Sequence, residues 1–341
     1  MKKGRLYYIT ISSFLAMLLM ILDSKTVILA MSEGIDICLK TIVPSLFPFL
    51  ILSTVLTGAL YGCQSSRLRP ISSILGIPYG CEGIFIISLL GGYPVGAKCI
   101  AQVYAAGKIS EKTAARMLGF CNNAGPAFIF GMFGQLFSSM YIPWILWIIH
   151  ILSAVLVGII LPKVPNISAI RLKHQSVSIS NAVEQAVKTM GTICSWIVLF
   201  KVIINFADRW FLWLFPQTLK VILIGTLELS NGCISLSKIV HPGFRFILSA
   251  AMLGFGGMCV YLQAATITKG ISTKYYLCGK LLHGSISAVF AIIAQWVLFP
   301  LSGIEIHYIP MLLICSMLIV IIPIFLQKIK NNSSNMKTIH V

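Results

Sequence analysis

Acidic side chains are scarce in this sequence, which contains nine Asp and Glu residues among 341. Charged residues of both signs make up 10% of the chain, whereas hydrophobic residues make up 57%. Water-soluble domains usually carry about 25% charged residues, so this composition excludes that class. Apolar runs long enough to cross the roughly 30 Å hydrocarbon core of a bilayer recur along the chain. The sequence therefore predicts an all-α polytopic membrane protein.

The common motifs of enzymes and metal sites are also missing. The sequence has no H-E-x-x-H, G-x-S-x-G or C-x-x-C, and its ten cysteines have no histidine at ligand spacing. The run GGYPVGAK comes near a Walker A motif, but Ala97 separates Gly96 from Lys98, where that motif requires Gly-Lys. We therefore expect no enzymatic activity, no bound metal and no cofactor apart from a coupling ion, H⁺ or Na⁺.

The formal net charge of +17 comes from Lys and Arg that lie singly or in small groups between apolar runs. This distribution is typical of loop charges that orient a membrane protein, not of a nucleic-acid-binding domain. With the N-terminus inside, most of the 26 basic residues, Arg116 and Lys280 among them, fall on the cytoplasmic side. We expect a multi-pass cell-membrane protein with both termini cytoplasmic, whose partners are the bilayer and a small-molecule substrate, with no nucleic acid.

The apolar runs predict about eight transmembrane helices and two broken segments. Two stretches, about 72–97 and 218–240, contain internal glycine, proline or acid and are predicted to be re-entrant helical hairpins. Two short spans in place of each hairpin would leave the orientation unchanged. The eight predicted spans cover residues 6–22, about 35–61, 114–136, 141–161, 182–206, 246–267, 276–299 and 309–327.

The two halves of the chain resemble each other weakly and in the same order. Asp36, Lys40 and Thr41 match Glu184, Lys188 and Thr189 at an offset of 148, and Met117–Phe120 recurs as Met252–Phe255. In the predicted layout one half enters from outside and the other from inside, which is the inverted-repeat architecture of secondary transporters. The predicted domains are an N-terminal helix (1–32), a first repeat (33–162), a cytoplasmic linker (163–181), an inverted second repeat (182–300) and a last helix with a cytoplasmic tail (301–341).

The first predicted hairpin contains a break that suits an anion. Gly91 and Gly92 permit close backbone approach, Pro94 begins a new helix, and Lys98 follows one turn later. Amide groups at a half-helix N-terminus favour a carboxylate, which makes these residues candidates for substrate binding. The alternative interpretation is that Gly92 and Gly96 form a G-x-x-x-G packing surface with an incidental proline kink.

Two further polar segments lie at membrane depth. Adjacent Asn122 and Asn123 offer donors and acceptors to a small polar ligand, and the alternative is hydrogen bonding between helices. Gln263 is a candidate from the matching broken span, or equally an interhelical contact. Among the histidines, His150 and His283 are interpreted as packing or interfacial residues.

Glu228 is one of very few acids at membrane depth and is followed by Ser230 and Asn231. An intramembrane carboxylate indicates binding of a coupling cation, proton transfer or contact with the substrate. Pairing with Lys220 or Lys238 near the surface is the structural alternative. Glu82, in the first hairpin, is favoured as a turn residue at the membrane surface.

Several motifs together resemble the sporulation integral membrane protein YlbJ family, which belongs to the nucleoside-recognition or Gate-domain group and is related to concentrative nucleoside transporters. They are SLFPFLILS, GGYPVGAK, GKIS with FCNNAGPAFIFG, GTLELSNG and LGFGGMCVYLQ. The resemblance implies a role in spore cortex and core maturation, in the mother-cell or outer forespore membrane, and secondary transport of dipicolinic acid, a small aromatic dianion. The matching positions imply a substrate site at Gly91, Gly92, Tyr93, Pro94, Asn122, Asn123, Glu228, Ser230 and Asn231.

Two alternatives stay open at this point. A nucleoside transporter would use the same asparagines and Glu228 to hydrogen bond ribose and base. A spore-envelope assembly factor that transports nothing would need none of these polar residues for its function.

Overall fold

The computed structural model describes residues 3–60, 68–137, 139, 141–165, 170 and 177–298. Within these ranges every regular element is a helix, which confirms the all-α class. The predicted last span, 309–327, and the tail lie outside the described residues. Five helical stretches are long and apolar enough to cross a membrane: Ser24–Val55, Tyr141–Ile160, Ile179–Trp210, Pro242–Ile267 and Lys274–Trp296. The prediction of a polytopic membrane protein is confirmed.

The chain begins with α1 (Lys3–Leu22) and then a continuous helix formed by α2 (Ser24–Ile37), a π-helical turn at Cys38–Ile42 and α3 (Val43–Leu60). This helix therefore begins at Ser24, before the predicted start of the span near residue 35. Polar residues such as Glu33 end the apolar run but are compatible with a helix. The Glu33 carboxylate forms an ion pair with Lys201 at 2.9 Å, which ties this part of the helix to the second half of the chain.

Both broken segments fold back on themselves. In the first, α4 (Arg69–Leu75) leads to α5 (Glu82–Gly91) and α6 (Val95–Ala105); in the second, α11 (Gln217–Leu227) precedes α12 (Leu229–Ser235). Gly96 on α6 lies against Ser88 on α5, and Gly232 on α12 lies directly against Gly225 on α11. Each pair is therefore a helical hairpin whose two arms approach closely at a glycine.

Two segments predicted as single spans are each divided into two helices. The first consists of α7 (Glu111–Leu118) and α8 (Pro126–Phe137), and the second of α13 (Pro242–Phe255) and α14 (Gly257–Ile267). Gly256 has φ +82°, a left-handed conformation that interrupts the second helix. The unbroken helices α9 (Tyr141–Ile160), α10 (Ile179–Trp210) and α15 (Lys274–Leu298) complete the described structure.

The order of elements repeats between the halves: a hairpin, a broken helix and a long helix occur as α5 to α9 and again as α11 to α15. The matched residues also form the same local contact, since Lys40 pairs with Asp36 at 2.8 Å and Lys188 pairs with Glu184 at 2.6 Å. The opposite orientation of the halves, the domain boundaries and the sidedness of the termini stay predictions.

Arg116, expected on the cytoplasmic side at the start of the predicted span 114–136, is one of the largest fully buried side chains, with 1% of its surface exposed. Its guanidinium donates to four carbonyl oxygens, those of Gly76, Gly158, Leu161 and Pro162, at 2.6–3.2 Å. These carbonyls include the end of α9, where backbone acceptors have no partner within the helix. A cation at a helix C-terminus is also favoured by the helix dipole.

Replacing Gly96 by Ala is expected to destabilise the fold, because a Cβ atom at this position overlaps the carbonyl group of Cys121. Overpacking of this kind costs about 1–3 kcal/mol. Gly134→Ala is the matched control, since no atom lies within 4 Å of a Cβ there. Thermal unfolding of the two purified variants measures the difference. Equal midpoints would contradict the close approach of α6 to residues 119–125.

Candidate functional site

A small cavity of about 50 Å³ lies where the two hairpins meet. Apolar residues of α3, α10 and α14, the breaks of both hairpins, and Gly125 and Phe128 at the break between α7 and α8 contribute to its wall. Six of the residues predicted for the substrate site line this cavity: Gly91, Gly92, Tyr93, Glu228, Ser230 and Gln263. The predicted breaks of the two halves are thus adjacent in space, and both face one cavity.

The tip of the first hairpin is in contact with the break between α7 and α8. Gly92 has φ +74°, and a Cβ atom on it would lie 3.0 Å from the backbone nitrogen of Gly125. A side chain at either glycine would separate the two segments, so close approach requires both to be glycine. The Tyr93–Pro94 peptide bond is cis, and Pro94 directly precedes the first residue of α6.

Tyr93 connects the first hairpin to the second half of the chain. Its hydroxyl donates to the carbonyl oxygen of Leu253 at 3.2 Å and lies beside Gly256, where α13 ends. The left-handed conformation of Gly256 and its lack of a side chain leave room for the tyrosine ring. Tyr93 is thus held at the junction of both halves while it lines the cavity.

Glu228 is directed at the start of its own helix. Its carboxylate accepts from the backbone nitrogens of Ser230 at 3.0 Å and Asn231 at 2.7 Å, and from the Asn231 side-chain amide at 2.7 Å. The acid therefore caps α12, and it satisfies donors that have no partner at a helix N-terminus. The structural alternative, a pairing of Glu228 with Lys220, is not formed, because that lysine forms an ion pair with Asp208.

The adjacent asparagines lie behind the cavity and connect helices. Asn122 donates to the hydroxyl of Tyr276 at 3.1 Å and accepts from the backbone nitrogen of Ala97 at 3.4 Å. Asn123 donates to the hydroxyl of Ser88 at 3.1 Å. Both side chains are fully buried. In this conformation they hold the α7–α8 break against the first hairpin. This role corresponds to the alternative interpretation of the two asparagines, hydrogen bonding between helices.

Two other predicted residues have local partners. The side-chain amide of Gln263 lies 3.3 Å from the Cys259 sulfur, one turn earlier on α14, while the side chain still lines the cavity. Glu82 accepts from the backbone nitrogen of Gly80 at 2.7 Å, so it closes a turn as expected, although it is fully buried.

A second and larger cavity of about 370 Å³ adjoins the first. Leu50 lines both, and the wall of the second begins at Pro94, directly after the residues that line the first. Lys98 lies in this wall and donates to the Gln185 side chain at 2.8 Å. Six of the fourteen residues that line the larger cavity are polar or basic residues of α6 and α10: Lys98, Gln102, Gln185, Lys188, Thr189 and Thr192. We call this cavity the basic vestibule.

Sequence reasoning missed a buried basic cluster next to the cavity. Lys280, expected on the cytoplasmic side, is 1% exposed and lies over the Tyr93 ring at 5.0 Å from its centroid. His283 and His150 are equally buried, and their rings stack at 4.3 Å. The available signal was a lysine inside the predicted span 276–299. Among the described residues no group of three or more His, Cys, Asp or Glu side chains is arranged to hold a metal.

These features define a multi-pass membrane protein that is helical throughout its described ranges and has two neighbouring cavities among broken helices. The chain is similar to the sporulation integral membrane protein YlbJ of Bacillus subtilis (strain 168), with 26% identity over 322 residues that cover 77% of this chain and 76% of that protein. This similarity confirms the resemblance inferred from the motifs and supports assignment to the YlbJ family. No protein-family model and no solved structure matches the chain.

Glu228→Gln is expected to lower the stability of the fold. The glutamine amide offers one acceptor oxygen, whereas three N–H donors now share two carboxylate oxygens. A buried donor without a partner costs about 1–3 kcal/mol. The control is Glu184→Gln, which removes an exposed ion pair that contributes little to stability because solvent screens it. Thermal unfolding in detergent compares the two, and equal effects would contradict the capping role.

Proposed function

We propose that this protein is a secondary transporter of a small organic anion that acts in spore formation, with dipicolinic acid as the substrate implied by the family resemblance. The observation that carries the proposal is the meeting of both hairpin breaks at one cavity inside the membrane protein. Broken helices are tolerated at membrane depth only where protein or a water-filled cavity covers them. In secondary transporters such breaks form the substrate site. On this proposal the protein is not an enzyme.

The basic vestibule supports an anion as the substrate. Lys98 is only half-buried, its ammonium group faces a neutral glutamine, and the vestibule wall contains no acidic residue. Lys188, also in the wall, is paired with the exposed Glu184 outside it. A cation without a bound carboxylate attracts an anion, and threonine and glutamine side chains provide further donors. A nucleoside carries no charge that would use Lys98.

The sizes of the two cavities suggest which step of transport this conformation represents. A volume near 50 Å³ holds a few water molecules, whereas ligand sites usually measure about 300–1,000 Å³. The vestibule, at about 370 Å³, falls in that range. We infer that an anion enters the vestibule first. It reaches the inner cavity when the segment from Gly92 to Pro94 moves away from Gly125.

The role in spore formation rests on the relative and on the motifs. The Bacillus subtilis protein is named a sporulation integral membrane protein, and the similarity covers most of both chains. Dipicolinate has two carboxylates, which suits the basic vestibule, where the Lys98 ammonium faces a neutral glutamine and the wall contains no acidic residue.

The proposal is tested with labelled dipicolinate and purified full-length protein in liposomes. We expect saturable uptake that excess unlabelled dipicolinate abolishes and excess uridine leaves unchanged. Protein-free liposomes give the background. Competition by uridine would favour the nucleoside alternative, and the absence of any flux would favour a role in assembly of the spore envelope.

Lys98→Met is expected to weaken dipicolinate uptake by raising the substrate concentration at half-maximal rate about 10-fold or more, because a charge-assisted hydrogen bond contributes about 1.5–3 kcal/mol. Lys108→Met is the control, since Lys108 is exposed just beyond the same helix. Both variants are assayed in the same liposome preparation. Equal half-saturation concentrations would show that the vestibule lysine does not contact the anion.

A further inference from the structure

Lys280 is a buried lysine that has no acidic partner among the residues that the structure describes. Its Nζ lies 3.5 Å from His283 Nδ1 and over the ring of Tyr93, and neither group supplies a negative charge. An isolated ammonium group is unfavourable in the interior of a protein, and more so inside a bilayer. A lysine kept at such a place in a transport protein therefore points to a functional role for its charge.

The surrounding helices do not neutralise this charge. The ionisable residues on the helices that pack against α15 are Tyr141 and His150 on α9, Arg245 on α13, and Glu111, Lys112 and Arg116 on α7. The hairpin break adds Tyr93, and α14 adds Tyr261, whose ring lies against Tyr276. Glu111, the one carboxylate among them, accepts from the backbone nitrogen of Ser272, before α15 begins. On α15 itself, Lys274, Tyr275, Tyr276 and Cys278 precede Lys280, and His283 follows it. Each remaining carboxylate of the described residues has a hydrogen-bond or ion-pair partner elsewhere.

Hydrogen bonds define the protonation pattern of the two histidines. The backbone nitrogen of Ala124 donates to His150 Nε2 at 3.0 Å, so the neutral His150 ring carries its proton on Nδ1. His283 Nε2 lies 3.0 Å from the carbonyl oxygen of His150 and must donate to it. His283 Nδ1 is then left as an acceptor for the Lys280 amine. Both imidazoles are neutral in this arrangement, and Lys280 is the donor at its end.

The cluster is connected to the inner cavity at two places. Tyr93, against which Lys280 lies, forms part of the cavity wall, and so does Gly125, which follows Ala124 in the chain. A change in the charge of Lys280 therefore acts on residues that line the cavity, without any long-range relay.

We propose that Lys280 is the proton-binding site that couples anion transport to a proton gradient; this inference rests on the proposed function. The lone pair on Nζ takes a proton from water on the side where the anion enters. The ammonium then offsets the negative charge of the bound anion. After the conformational change both leave on the other side, so that one proton moves with the anion and the neutral amine remains.

The test compares two transport modes of Lys280→Met in liposomes, with labelled dipicolinate as the probe. Exchange of internal for external dipicolinate needs no net proton movement, whereas accumulation driven by a pH gradient does. We expect the variant to keep exchange within about twofold of the unaltered protein and to lose accumulation at least tenfold. Lys274→Met, an exposed lysine on the same helix, should keep both.

Several results would overturn the inference. One is a folded Lys280→Met protein that accumulates dipicolinate normally, and another is one that loses exchange and accumulation together. If the variant does not fold, the unaltered protein suffices, because a pH-sensitive dye inside the liposomes must report proton entry with dipicolinate. Accumulation of dipicolinate without proton entry refutes this inference alone, whereas no exchange at all refutes the proposed transport function.

Discussion

Where a helix is broken inside a membrane protein, backbone N–H and C=O groups lose their helical hydrogen bonds and no bulk water replaces them. The rest of the structure depends on the side chains that form hydrogen bonds with these groups. Each break has a side chain that satisfies it. Glu228 accepts from the first amides of α12, His150 from the amide of Ala124, and Asn122 from that of Ala97. Arg116 donates to the carbonyls at the end of α9. The buried polar residues are thus first of all the means by which an irregular membrane fold is stable.

The same requirement explains the distribution of charge. Five carboxylates of the described residues form ion pairs. The pair of Glu33 with Lys201 joins α2 to α10, and the pair of Asp208 with Lys220 joins α10 to α11. Among the described residues, the buried cations Arg116 and Lys280 have no carboxylate partner and bind carbonyls or a neutral imidazole instead. The two buried carboxylates, Glu82 and Glu228, accept from backbone amides. On the proposed function, a bound anion supplies the negative charge that these cations lack.

The positions of the breaks were predictable because glycine, proline and a mid-helix acid are local signals. Gly92 and Glu228 both line the inner cavity as expected. The direction of the Glu228 side chain was not predictable, since capping and ligand binding require the same residue types. In the sequence, Lys280 lies near the start of the predicted span 276–299, where a lysine is ordinarily exposed at the membrane surface. Only the packing of α15 against α9 shows that it is buried beside His283. Long-range packing, not local pattern, decides such cases.

The two hairpins are not equivalent, although their order in the chain suggests a repeat. The start of α12 is occupied by the carboxylate of Glu228, which belongs to the chain itself and repels a second anion. The start of α6 is met by the neutral amide of Asn122, and Lys98 follows one turn later in the basic vestibule. On the proposed function, an anion is accommodated on the side of the first hairpin, and its passage to the inner cavity requires movement of the segment around Gly92, where two glycines are in contact. The hydrogen bonds from Asn122 to Ala97 and from Asn123 to Ser88 connect this hairpin to the α7–α8 break, so they break or move with it.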